Sequence, residues 1–238
     1  MKSSFLLLFT SLFLVSCDTS SIQSSIDSFV NPTSNSLSAE TVGKGLKQAL
    51  EIGITEGANK LSMTDGYFKS PYKILLPEEV RVVTDKLKNV PGFTNVESIL
   101  LEKLNRGAED AAKKAAPIFK KAITDMTFTD AWNILKGNQD AATTYLKKST
   151  SQELYTAFNP VIVESLDKYN ARTYWSSVVS KYNKLPFVDP VEEDLDNYVT
   201  QKALEGLFSM VETKEKDIRT NVSARSTDLL KQVFARQD

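Results

Sequence analysis

Apolar side chains recur at three- and four-residue intervals along most of this chain, the period of helices that bury one face. Val42, Leu46, Ala49, Leu50, Ile54, Ala58 and Leu61 mark a first helix over 38–61. Ser38 is placed to cap it, and Asp65-Gly66 to turn the chain after it. The pattern then lapses. Tyr67, Phe68 and Tyr72 are interrupted by Pro71, which predicts a loop with at most one short extended segment near 72–76. Pro77 suits the first turn of a helix carrying Val80, Val83 and Leu87, and Pro91-Gly92 ends it.

A longer apolar face starts at Asn95 and runs to Met126, with Pro117 inside it, so a kink or break is expected there. Thr127 and Asp130 have capping-box spacing ahead of a short helix stopped by Gly137. Asp140 is placed to cap a short helix through Lys148, and Thr150 with Glu153 to open another that contains Pro160. Tyr174, Trp175, Val178, Val179 and Tyr182 mark the next, ending at Leu185-Pro186. Asp189-Pro190 reads as a cap followed by proline at the first position of a helix with Leu195, Val199, Leu204 and Val211. Its charged end, 212–219, is expected to be solvated, and a last helix starts near Ser226. Alternating β-branched runs are nearly absent. The expected fold is all-α, a single multi-helix domain with kinked helices over 37–238.

Ahead of that domain stands a different kind of sequence. Lys2 and the apolar run 5–15 form a leader too short to cross a bilayer, which takes about 20 apolar residues. It ends in Leu14-Val15-Ser16-Cys17, a bacterial lipobox by its spacing, which predicts removal of 1–16 and acylation of the Cys17 sulfur. Two or three acyl chains anchor a protein stably where one binds marginally. Residues 18–36 are rich in Ser, Thr, Asn and Asp and are expected to act as a flexible linker reaching at most about 60 Å. The expected location is an exported lipoprotein facing the periplasm. Asp18 resembles an inner-membrane retention signal of enteric bacteria, a rule that does not hold generally, so both membranes stay open.

Composition narrows the chemistry. The chain has a formal net charge of −1 and no histidine. Losing Lys2 with the leader brings the mature charge near −2, with no global pull toward nucleic acid. Without histidine the common general base, the Ser-His-Asp triad and the commonest zinc ligand are missing. Cys17 is the only cysteine, so no disulfide forms within the chain and no thiolate cluster exists. No cofactor is expected.

Several stretches are similar to the bacterial family catalogued as domain of unknown function 4197. They include Pro117-Ile118-Phe119, Met126-Thr127-Phe128, Asp130-Ala131, Asp140-Ala141-Ala142-Thr143 with Tyr145, and Leu185-Pro186. Tyr198-Val199-Thr200, Gly206-Leu207-Phe208, Ile218-Arg219 and the ending from Ala224 to Phe234 continue it. The resemblance spans 37–234 and implies a helical, exported, often lipidated envelope protein. It implies no activity and carries over no functional residue.

Candidate sites are correspondingly weak. The segment 127–150 gathers Asp130, Trp132, Asp140 and Tyr145, a density that suits either a ligand cleft between helices or a tight turn whose aspartates cap backbone N–H groups. Capping explains the same residues without a ligand. Arg172, Arg219 and Arg225 suit pairing with neighbouring acids more than binding an anionic headgroup or phosphate. The acids Asp189, Glu192, Glu193, Asp194 and Asp196 lack EF-hand spacing and are explained by the helix dipole, so no metal is expected. Lys113, Lys114, Lys120 and Lys121 read as a solvated face. Tyr67, Phe68 and Tyr72 suit a cover over the core more than a membrane contact.

The leading expectation is therefore a lipid-anchored, non-enzymatic binding or scaffolding module. Its partners would be the membrane, through Cys17, and another envelope protein or a lipid. A binder of an apolar or amphiphilic small molecule in an inter-helix cleft is the alternative, with a carboxylate- or lysine-based enzyme behind it.

Overall fold

The computed structural model describes residues 38–235 except 77, 92–93 and 191–194. The leader, Cys17 and the linker 18–36 lie outside the described residues, as do Pro77, Gly92, Glu192, Glu193 and Asp194. Within them the chain is helical without strands: α1 Ala39–Ser62, α2 Glu78–Leu87, α3 Val96–Ala112, α4 Ala115–Asp125, α5 Phe128–Lys136, α6 Ala141–Lys168, α7 Ala171–Tyr182, α8 Asp196–Thr220 and α9 Asp228–Phe234, with a 3-10 turn at Val222–Ala224.

α6 and α8 form the central antiparallel pair. Asn159 donates to Thr200 toward one end, and Thr143 donates to Glu215 toward the other. α3 covers α6, also antiparallel, through Ser165 to Asp110 and Lys103 to the Tyr169 carbonyl. α1 lies along α8 with Lys214 reaching Glu56 at 3.3 Å. It also meets α4, α5 and α9, while α7 closes against α2, α3 and α6. The core between them holds Leu46, Leu100, Phe119, Phe158, Trp175 and Leu207. Burying each such side chain is worth about 1.5–3 kcal/mol. Gly45 sets how closely α9 approaches α1, since a Cβ there would stand 2.5 Å from the Val233 Cγ2 atom.

Ser38 caps α1 by accepting from the Thr41 N–H at 3.1 Å, as its position suggested. Thr127 and Asp130 form the expected capping box on α5, and Gly137 stands at its C-cap. Thr227 caps α9, one residue beyond the expected start. Tyr67 is fully buried, which makes the aromatic loop a cover over the core.

Four expectations are corrected. The break near Pro117 falls at Lys113 and Lys114, and Pro117 sits in the first turn of α4, where a missing N–H costs no helical bond. No boundary exists at Thr150: α6 is continuous, and Thr150 donates to the Leu146 carbonyl at 2.6 Å instead of capping. The buried positions Leu146, Leu154 and Phe158 hold both halves to one surface. Asp189-Pro190 does not open α8, which starts at Asp196, next to the first core residue Leu195. The end of α8 is not wholly solvated either, since Glu215 and Arg219 are buried.

Candidate functional site

The first turn of a helix presents N–H groups with no partner inside the helix. At α6 the N-cap residue Asp140 makes no side-chain capping bond. Glu215 from α8 takes its place, accepting from the Ala142 N–H at 2.9 Å and from the Thr143 N–H and hydroxyl at 2.8 Å each. One turn on, Arg219 pairs with Glu215 at 2.9 Å and donates to the carbonyls of Ile134 and Leu135 at the end of α5. Arg225 in turn donates to the carbonyls of Ile218 and Arg219 at 3.0 Å each. The three charged side chains join the end of α5, the start of α6, α8 and the turn before α9. Such a buried pair is held by its hydrogen bonds, which offset the cost of taking both charges from water.

A second buried carboxylate repeats the device. Glu109 of α3 accepts the N–H groups of Tyr67 and Phe68 at 3.1 Å each and pairs with Arg106 at 2.8 Å. Arg106 also reaches Asp65 at 2.9 Å and lies 5.2 Å from the Phe68 ring centroid. Burial opposes the Arg106 charge, but hydrogen bonds to Glu109 and Asp65 outweigh it and raise its pKa above the ordinary value. Asn105 completes the clamp by accepting from the Ile74 N–H at 2.8 Å and donating to the Ile74 carbonyl at 2.9 Å. The Tyr67 hydroxyl donates to the Ala203 carbonyl at 2.7 Å. Burial, with Glu109 nearby, pushes its pKa up.

The expected site residues scatter across this scaffold. Asp130, Asp140 and Tyr145 meet at one open groove of about 470 Å³ between α5 and α6. There the Thr127 hydroxyl and N–H hold the Asp130 carboxyl below the usual aspartate range, while burial, then Asp130 and Asp125, raise the Tyr145 phenol. Trp132 does not line that groove; its ring centroid is 6.1 Å from that of Phe128, and the Lys136 Nζ stands 4.5 Å from it. Arg172 pairs with Asp167 at 3.1 Å and Asp196 at 3.5 Å. Arg219 and Arg225 are the buried tie already described.

A larger groove of about 670 Å³ lies between residues 71–76 and α8 and was not foreseen. Ile74, Leu76 and Gly206 contribute its apolar part, and Lys73, Glu78, Lys202 and Glu205 its charged part. The Tyr198 hydroxyl crosses it to the Leu75 carbonyl at 2.9 Å. Pro71 and the aromatic pair beside it signalled a loop, yet no spacing in the sequence signalled that α8 would face it. Among the described residues no group of three acids or other ligands stands together to hold a metal.

The fold and these ties define a single-domain all-α protein organised around two buried carboxylate–arginine clamps. The chain belongs to the family described as protein of unknown function (DUF4197), whose model matches residues 36–235. No curated protein and no solved structure matches the chain.

Proposed function

We propose that this protein is exported, acylated on Cys17 and held at the periplasmic face of a membrane. There its helical surface serves as a binding or scaffolding module for another envelope component. Cys17 carries the reading: it is the only cysteine, and it stands one small residue, Ser16, after an apolar run too short to span a bilayer. Among the described residues no helix is long and apolar enough to cross a membrane, so attachment would rest on the acyl chains. The structure supports action through a surface because Glu109, Glu215, Arg219 and Arg225 are each committed to backbone groups of the scaffold.

The test is a pair of experiments on the full chain. Cys17→Ser is expected to move the protein from the salt-washed membrane fraction to the soluble one. In-cell crosslinking of the unaltered protein is expected to recover one stoichiometric envelope partner. A Cys17→Ser variant still in the washed membranes would refute the anchor, and repeated crosslinking without a discrete product would refute the scaffold.

The groove beside α8 favours one alternative, an amphiphilic small molecule with its apolar part on Ile74 and Leu76 and its polar end at Lys202 and Glu205. Ser209→Trp would fill the groove and abolish binding of a fluorescent fatty acid. Binding unchanged by that substitution would exclude this site.

A further inference from the structure

Residues 73–76 lead from the aromatic turn to α2 and belong to no helix. Pro77 disfavours helical backbone at Leu76. Ile74 and Leu76 are buried while Leu75 between them is 61 % exposed, the two-residue alternation of a strand. One edge of this short extended segment is already filled. The Asn105 side chain accepts from the Ile74 N–H and donates to the Ile74 carbonyl, the pair of bonds that a neighbouring antiparallel strand would make. Successive residues of an extended chain direct their N–H and C=O groups to opposite edges, so those of Leu75 lie on the other one. There the Leu75 carbonyl accepts from the Tyr198 hydroxyl of α8, which sets that edge along the groove between 71–76 and α8. The Leu75 N–H has no partner among the described residues.

An open strand edge facing a helix suits an extended peptide, which adds main-chain bonds to the edge and lays alternate side chains in the groove. The dimensions agree. From Tyr198 to Ser209 the α8 wall runs about 16 Å, the length of about five extended residues. The charges select the peptide. Lys202 and Glu205 on the α8 wall satisfy each other at 2.6 Å. Lys73 and Glu78, toward the two ends of the opposite wall, form no ion pair among the described residues, and Lys73 has only the Phe68 ring 4.9 Å from its Nζ. A fatty-acyl ligand would meet one of these two charges and leave the Leu75 N–H open. We infer that the groove binds an extended segment of another envelope protein as an added strand along Leu75. An acidic residue of that segment lies against Lys73 and a basic one, about five positions away, against Glu78. Such a segment is the partner of the binding module proposed above, and the site rests on that reading.

The direct probe is a phage-displayed library of random peptides of about ten residues, long enough to overrun the groove, selected against the full-length Cys17→Ser chain. Enriched sequences are expected to carry an acid and a base about five positions apart, with alternating apolar or β-branched residues between them. Lys73→Glu combined with Glu78→Lys, with an unchanged circular dichroism spectrum, is expected to weaken a selected peptide at least about tenfold. Exchanging the acid and the base of that peptide should restore its affinity for the doubly substituted chain. The bound peptide should also slow hydrogen exchange at the Leu75 amide at least about tenfold, while the Ile74 amide, already held by Asn105, keeps its rate. No enrichment, or enriched peptides indifferent to the charge exchange, would overturn the site and leave the binding module to another surface. A peptide bound without protection of Leu75 would overturn the added strand. A fluorescent fatty acid bound in the groove, with no peptide selected, would assign it to an amphiphile and overturn the inference.

Discussion

Glu215 caps α6 in place of Asp140. The aspartate stands at the N-cap without a side-chain capping bond, while a glutamate on another helix accepts the N–H groups of Ala142 and Thr143. Sequence position and structural role have come apart, and the two residues make a direct test. Glu215→Gln would leave the buried Arg219 without its counter-charge and is expected to cost about 3–5 kcal/mol. Asp140→Ala should stay within about 0.5 kcal/mol of the unaltered protein. Urea unfolding of both variants checks the pair; equal costs would refute the assignment.

The α3 clamp on the 67–76 loop makes a local prediction. Glu109→Gln and Asn105→Leu should each speed hydrogen exchange at the amide they hold, Tyr67 and Phe68 for the first and Ile74 for the second. The Ala142 and Thr143 amides, held by Glu215, should change only as far as global stability falls. Loosening at all of these sites in equal measure would mean that the loop is not an independent unit.

Acid should weaken the α5 cap. The Asp130 carboxyl lies below the usual aspartate range because the Thr127 hydroxyl and then the Thr127 N–H bond to it. A carboxyl depressed in the folded state adds stability above its unfolded pKa and loses it as pH falls through the folded one. Thermal stability should therefore drop below about pH 4, and Asp130→Asn should flatten that drop while lowering stability at neutral pH. Thr127→Ala is expected to cost about 1 kcal/mol at neutral pH. A pH profile of the melting temperature identical in Asp130→Asn would count against the cap.

Phe187 has a backbone φ of 61° and a side chain entirely in solvent. Left-handed backbone strains a residue with a bulky Cβ substituent and suits asparagine better. Phe187→Asn should raise stability by about 0.5–1 kcal/mol, read as a higher melting temperature. A lower one would show that the ring makes a contact worth more than the strain.

What was legible beforehand follows from the range of the physics involved. Ser38, Thr127 with Asp130, and Gly137 act on neighbours within four residues, so spacing alone located the ends of α1 and α5. Thr150 with Glu153 had equally good spacing and failed, because buried Leu146 and Phe158 on either side keep the helix running through a weak local signal. Arg219 and Arg225 stood out as charges expected to pair with acids; Arg219 meets Glu215, while Arg225 donates to the carbonyls of Ile218 and Arg219. Glu215 itself did not stand out, because a glutamate in a charged run carries no mark of the backbone it will meet seventy residues upstream. For the same reason no spacing in the sequence marks Asn105 and Glu109 of α3 as the receptor for a loop. The charged stretch at the end of α8 was misread as solvated because burial of an ion pair depends on partners that distance along the chain conceals.

The tie between α6 and Glu215 also bears on how the chain emerges from the ribosome. Every residue of α6 is made long before Glu215, and Gln48 on α1 meets its partner Thr227 only 179 residues later. The N-terminal part therefore leaves the exit tunnel with its central helix uncapped and its first helix without α8 and α9, the last of its neighbours to be made. These ties of the domain are complete only once Glu215, Arg219, Arg225 and Thr227 have all been made.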